Sequence, residues 1–134
     1  VPRTPMLDLL RPTVSENRLA RIEDTLLARC GSVRLLFENL HDPGNGAAAM
    51  RTAEGHGIQH VHVVEGFEPF TYSTRINRNV DKWMTVHRHA NCFEAAAQLK
   101  AQGFTIVGTC LDPAAQPLDA LDFNAMDKVV VCFG

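Results

Sequence analysis

Residues 33–65 read VRLLFENLHDPGNGAAAMRTAEGHGIQHVHVVE, and the succession of patterns in this stretch decides the fold class. Val33 to Glu38 is a short apolar run of strand character. The turn-forming residues His41-Asp42-Pro43-Gly44-Asn45-Gly46 follow, and then a small-residue helix from Ala47 to Glu54, closed by Gly55 and Gly57. Ile58 to Glu65 is a second strand. Strand, turn, helix and strand in so few residues make a βαβ unit, which needs its two strands parallel.

The pattern extends in both directions. Upstream, Ser15 to Arg29 has Leu19, Ile22 and Leu26 on one helical face, Ser15 as a candidate N-cap and Gly31 as a terminator. Downstream, Gly66 to Asp81 reads as the longest loop and Trp83 to His87 as strand-like. Phe93 to Ala101 is a helix with Asn91 at its start and Gly103 after its end. Phe104 to Cys110 and Lys128 to Phe133 are strands on either side of the loop LDPAAQPLDALDFNAMD. The expected class is α/β, a mostly parallel sheet with flanking helices, divided into an N-terminal segment and helix over 1–31 and one larger domain over 32–134.

Composition agrees. The chain has 134 residues, 46% apolar and 21% charged, in the range of folded domains. No apolar run approaches the ~20 residues that cross a bilayer, and the opening VPRTPMLDLLRPTV has no secretory h-region. Val1 in place of methionine implies a start that lies upstream or has been processed. Cys30, Cys92, Cys110 and Cys132 are scattered without a CxxC pair, which fits free thiols in a reducing compartment, cytoplasm or organelle matrix. The net charge of −2 hides a local imbalance. Residues 75–88 carry Arg75, Arg78, Lys82 and Arg88 against Asp81 alone, between two acidic segments. Such a stretch either steers a phosphate backbone or is a solvated surface.

Two constellations are candidates for chemistry. The glycine-rich turn before the first βα helix offers backbone N–H groups and a positive dipole end to an anion, with Asn45 at the helix start and Arg51 one and two-thirds turns on. An ordinary βα turn with a solvated arginine is the other reading. The small residues Gly46 to Ala49 leave room for a ligand or a second backbone. The second constellation is histidine: His60 with His62, and His87 with His89, each pair on one strand face. Four imidazoles are either metal ligands or half-buried strand residues; no carboxylate or cysteine cluster accompanies them, and no metal is assigned. GxSxG, HExxH, GxxxxGK[ST] and GxGxxG are all absent.

HDPGNGAAAMRTAEGHGIQHVHVVE resembles the first motif of the SpoU family of RNA 2′-O-methyltransferases, in which asparagine and arginine separated by five residues are followed by threonine, alanine and often an acid. Here these are Asn45, Arg51, Thr52, Ala53 and Glu54. RLARIEDTLLARC is similar to the leading helix of the branch that methylates a guanosine ribose in tRNA. DKWMTVHRH, AAAQLKAQGFTIVGTCL, LDALDF and KVVVCFG follow in the family's order, so the resemblance runs from about Arg18 to Gly134. EPFTYSTRINRNV departs from the glycine- and serine-rich loop usual in the tRNA branch.

The resemblance implies an α/β trefoil-knot fold, S-adenosylmethionine as methyl donor, tRNA or rRNA as substrate and a homodimer. It implies that Arg51 is essential at the ribose 2′-hydroxyl, that Asn45 organises the pocket, and that Arg75, Arg78 and Lys82 meet RNA phosphate. Free guanidinium, with a pKa above ~12, is a poor base, so an arginine there serves better by stabilising the emerging alkoxide. The knot and the donor-binding segments are expected beyond Gly134, so the chain alone is expected to be inactive and to expose apolar surface. The alternative is a non-catalytic RNA-binding or ribosome-assembly protein that keeps the fold, and Trp83 is assigned to core rather than to base stacking.

Overall fold

The computed structural model describes residues 5–65, 70, 71 and 74–134. Its elements run α1 (Pro5–Leu10), α2 (Glu16–Leu27), β1 (Val33–Glu38), α3 (Pro43–Gly55), β2 (His60–Val64), α4 (Thr74–Asn77), β3 (Thr85–His89), α5 (Cys92–Ala101), β4 (Thr105–Gly108) and β5 (Val129–Phe133). The five strands form one sheet in the order β3-β2-β1-β5-β4, and each neighbouring pair is parallel. The expected α/β class is what the chain builds.

The central strand β1 explains the layering. Its residues alternate between faces, so Leu35 and Phe37 point one way and Leu36 the other. On the first face they pack with Met50 and Ala53 of α3, Val61, Val63, Phe70 and Met84. On the second, Leu36 meets Val64, Val130 and Phe104 under Ala95 and Leu99 of α5. The winding goes from β1 to β2 to β3 on one side and then returns across the sheet to β4. Right-handed crossovers require the return connection to use the opposite face, and α5 does. Phe37, 1% exposed and 6.0 Å ring to ring from Phe70, anchors the α3 face. Truncating such a residue to alanine costs about 3–5 kcal/mol.

Several boundaries differ from the sequence reading. Helix α3 starts at Pro43, not Ala47, because proline is well suited to the first helical position and Asp42 caps it, its side chain accepting from Gly44 N at 2.7 Å. Strand β3 begins at Thr85, two residues late, because Val80–Lys82 form a 3₁₀ turn that ends in Trp83. The expected long loop 66–81 also contains α4; its residues 66–69, 72 and 73 lie outside the described residues. Ser15 stands at the N-cap of α2 without a side-chain hydrogen bond. The apolar stripe of α2 exists, yet none of its residues is buried, and Leu26 and Leu27 are exposed. No helix among the described residues is long and apolar enough to cross a membrane.

Candidate functional site

The motif residues of α3 separate into two sets once each side chain is followed. Thr52 donates its hydroxyl back to Ala48 O at 3.1 Å. Ala53 is buried in the core. Glu54 accepts from Arg29 at 2.7 Å, a half-buried ion pair that ties the segment after α2 to the end of α3. Ala47 is buried against the sheet, and Gly46 leaves space for the Phe70 ring, which an added Cβ would approach to 3.0 Å. Of the small residues from which the sequence suggested close approach of a backbone or a ligand, Gly46 and Ala47 are buried in packing and Ala48 is exposed. Asn45 and Arg51 remain: both are exposed, and among the described residues neither side chain has a hydrogen-bond or ion-pair partner.

The expected anion cradle at the start of α3 is not built. Asp42 places a carboxylate against the first turn, and its carbonyl accepts from Asn45 N at 3.1 Å and Gly46 N at 3.4 Å. An acidic cap occupies the donors and the dipole end that a phosphate would use. Asn45 lies in the first helical turn, two residues inside the helix from Pro43, and is not the cap.

Helix α4 and the turn after it pack beside α3. An added Cβ on Gly44 would lie 3.5 Å from Ile76 Cδ1, so α4 sits close to the first turn of α3. Arg78 and Asn79 both adopt left-handed backbone (φ 49° and 64°), a cost that non-glycine residues bear only where surrounding structure holds them. That hold includes buried Asn77, whose Nδ2 donates to Asp81 Oδ1, and Trp83 N donating to Val80 O at 2.9 Å. Arg75, Arg78 and Lys82 are all exposed, and among the described residues none is ion-paired. The structure thus gathers the cations expected to meet RNA on the same side of the sheet as Arg51. Trp83 is 67% exposed, which corrects its assignment to core.

The histidines do converge, on the opposite face. His62 Nδ1 and His89 Nε2 are 2.9 Å apart, His60 Nδ1 and His87 Nε2 3.1 Å, and the His62 and His87 rings stack at 4.4 Å. Arg34 Nη1 lies 3.4 Å from His62 Nε2 and donates to Gln102 at 3.1 Å, and Arg34 Cζ sits 4.3 Å from the centroid of the Phe104 ring. Because arginine only donates, His62 Nε2 must accept, and His62 Nδ1–H then donates to His89. Burial first, and then the charges of His87, His89, Arg34 and His60, lower His62 to about 3. His60 and His87 are lowered too, burial again leading. Among the described residues no group of three or more His, Cys, Asp or Glu is arranged to hold a metal ion. His60, His62 and His87 are thus favoured as neutral imidazoles, rungs of a polar ladder in the fold.

Ligands of open parallel sheets bind outside the carboxyl ends of the strands. There Asn39 is left-handed (φ 49°), and Gly134 passes so close to Glu38 that an added Cβ would lie 3.1 Å from its carbonyl oxygen. Burial, with Cys92 and Glu38 adding to it, pushes the Cys132 thiol up to about 11, and Cys92 is raised by burial and by Glu38. Both thiols are thereby held protonated and unreactive. All four cysteines are free, as their spacing suggested.

Residues 32–134 match the SpoU rRNA Methylase family. The chain belongs to that family. The tRNA (guanosine(18)-2′-O)-methyltransferase of Thermus thermophilus is 32% identical over 90% of the chain, and that of Borreliella burgdorferi 28% over 96%. The Escherichia coli enzyme of the same name is 30% identical over 85%. The chain spans 61%, 58% and 48% of the length of these three relatives, respectively. Among solved structures, the A. aeolicus TrmH/SpoU tRNA modifying enzyme has the same fold (TM-score 0.75, 23% identity, 89% of the chain and 61% of that structure). An rRNA methyltransferase from Sinorhizobium meliloti superposes with a TM-score of 0.67 at 25% identity, over 80% of the chain and 41% of its own.

Proposed function

We propose that this SpoU-family chain is part of an RNA 2′-O-methyltransferase that uses S-adenosylmethionine to methylate a ribose in tRNA. One observation carries the reading. Of the motif residues Asn45, Arg51, Thr52, Ala53 and Glu54, three are engaged in the fold, while Asn45 and Arg51 are left exposed and have no side-chain partner among the described residues. Residues held free of internal partners are available to a substrate. The names of the relatives favour tRNA over rRNA as substrate. Residues 32–134 make up the methyltransferase domain in this reading, and 1–31 a leading segment and helix. A homodimer in the cytoplasm or an organelle matrix completes it, consistent with four free cysteines.

Methyl transfer to a ribose requires the 2′-hydroxyl to lose its proton as the oxygen attacks. The Arg51 guanidinium, with no competing partner among the described residues, stabilises the alkoxide as it forms and holds the adjacent phosphate, and the proton leaves through phosphate or water. Asn45 orients the nucleotide by hydrogen bonds to its polar edges. Arg75, Arg78 and Lys82 contact phosphates and set the register without reading sequence.

The donor, when bound, supplies an electrophilic methyl group. Glu38, Asn39, Cys132 and Gly134 at the carboxyl ends of β1 and β5, with Cys92 at the start of α5, supply one carboxylate, one amide and two high-pKa thiols, which is too sparse a set of contacts to hold a nucleoside and an amino-acid moiety. The described residues therefore do not make a complete donor site, and its remaining contacts are proposed to come from segments that follow Gly134 in the full-length protein.

The test is transfer of labelled methyl from S-adenosylmethionine to unmodified tRNA and rRNA by the full-length protein. Incorporation into tRNA, lowered about 10²–10³-fold in Arg51→Ala, is the expected result. Undiminished activity in Arg51→Ala would sink the assignment of that residue. RNA binding without any methyl transfer would favour a non-catalytic member of the family.

A further inference from the structure

We propose that Trp83 is a stacking platform for an unpaired nucleobase of the bound RNA, an inference that rests on the RNA reading above. An indole is among the largest apolar side chains, and a monomeric fold normally covers most of it. Here it is 67% exposed although its backbone is firmly held. Trp83 N donates to Val80 O at 2.9 Å, and Gln59 Nε2 donates to Trp83 O at 3.1 Å. The next residue, Met84, is buried in the core against α3 and β2. Just upstream, Lys82 N donates to Asn79 O at 3.2 Å, and the Asn77–Asp81 bond closes the turn. The indole therefore stands on a fixed stalk, so little backbone freedom remains to be lost when a ring settles on it.

The surroundings select the partner. Lys82 precedes the indole, and Arg78 and Arg75 stand on the same braced segment, all exposed and without ion pairs among the described residues. The one acid between Arg75 and Arg88, Asp81, is half-buried and engaged by Asn77. An aromatic surface flanked by unneutralised cations matches a single-stranded nucleic acid: the base has a π face for the indole, and its phosphates meet the cations. A second protein copy would instead have to desolvate those cations against its own surface. Stacking of this kind tolerates any base, so Trp83 would set the path of the RNA rather than read its sequence.

Trp83 is the only tryptophan among the 134 residues. In the full-length protein, the emission difference between wild type and Trp83→Phe isolates its signal whatever other tryptophans are present. Titration with unmodified tRNA is expected to quench that signal. Binding of labelled tRNA is expected to weaken on the order of tenfold in Trp83→Ala and to recover in Trp83→Phe. The KM for tRNA should rise with it while kcat at saturating tRNA changes little, as for a residue that positions substrate without touching the reacting atoms. Wild-type affinity in a folded Trp83→Ala protein would overturn the platform and leave the RNA reading intact. A blue shift of the Trp83 emission with protein concentration, without RNA, would overturn it in favour of self-association. Absence of RNA binding by the wild type would remove the RNA reading itself.

Discussion

The two faces of the sheet hold their positive charge in opposite ways. On the α5 face, Arg34 is folded in: it donates to Gln102, touches His62 and lies over Phe104, and the histidines bond one another. On the α3 face, Arg51, Arg75, Arg78 and Lys82 are exposed without internal partners among the described residues. An arginine whose terminal nitrogens are turned onto its own fold can stabilise that fold but has little left to offer a ligand. An arginine left bare contributes little to stability, since surface substitutions usually change it by less than about 0.5 kcal/mol. The two faces therefore predict opposite phenotypes for the same type of residue.

Arg51→Ala should show the largest contrast. Methyl transfer by the full-length protein is expected to fall about 10²–10³-fold, with the unfolding midpoint in urea unchanged. A large loss of stability with activity falling only in proportion to folded protein would place Arg51 with Arg34 and dissolve the distinction between faces.

Acid should act on the α5 face. His62 is 3% exposed, and its pKa in the fold is about 3 against 6.5 in a free chain. The unfolded chain therefore binds a proton that the folded protein refuses throughout the interval between those values, and stability drops as pH falls through it. The loss from His62 alone is about 2 kcal/mol between pH 7.5 and 5, and lowered His60 and His87 add to it. Besides burial, the charged groups that set this behaviour at His62 are His87, His89, Arg34 and His60. His62→Gln should flatten the dependence of urea midpoint on pH in that range. A midpoint that rises on acidification, or a slope the variant leaves alone, would contradict the neutral ladder.

The contrast between faces was only partly legible in the sequence. The run VRLLFE declared β1, because six consecutive residues of strand character suit a strand covered on both sides. Asn91 declared α5, where its side chain accepts from Glu94 N at 2.8 Å. Pro43-Gly44-Asn45-Gly46 misled, since local propensity reads it as a turn while the Asp42 cap makes it the first turn of a helix. Helix α4, four residues long, has no periodicity to announce it and is defined by its contact with α3. Trp83 and Met84 read alike as apolar strand, yet one is exposed and the other buried, which only the tertiary fold decides. The two histidine pairs were each placed on a strand face, but their meeting depends on β2 pairing with β3 in the register His62 to His87. Neighbour and register are long-range facts. The partners of Arg34 at Gln102, 68 residues away, are another.

Arg34→Met makes the smallest change and the finest test. Methionine keeps an apolar stem against Phe104 but loses the cation over its ring, worth about 0.5–1 kcal/mol at a partly open site. It also removes a guanidinium Nε that is buried with no partner among the described residues, an unsatisfied donor whose loss is favourable. Against that gain stand the lost cation–π contact and the lost hydrogen bonds to Gln102 and His62 Nε2, so net stability at pH 7.5 should fall by about 1 kcal/mol. The pH dependence should weaken modestly, because Arg34 stands behind burial and behind His87 and His89 among the causes that depress His62. Affinity for tRNA and the rate of methyl transfer should not change at all, because this arginine already has its partners within the fold. If Arg34→Met instead weakened tRNA binding as the cations of the α3 face are expected to, the RNA would have to reach both faces. The bare and the folded-in arginines would then belong to one continuous surface.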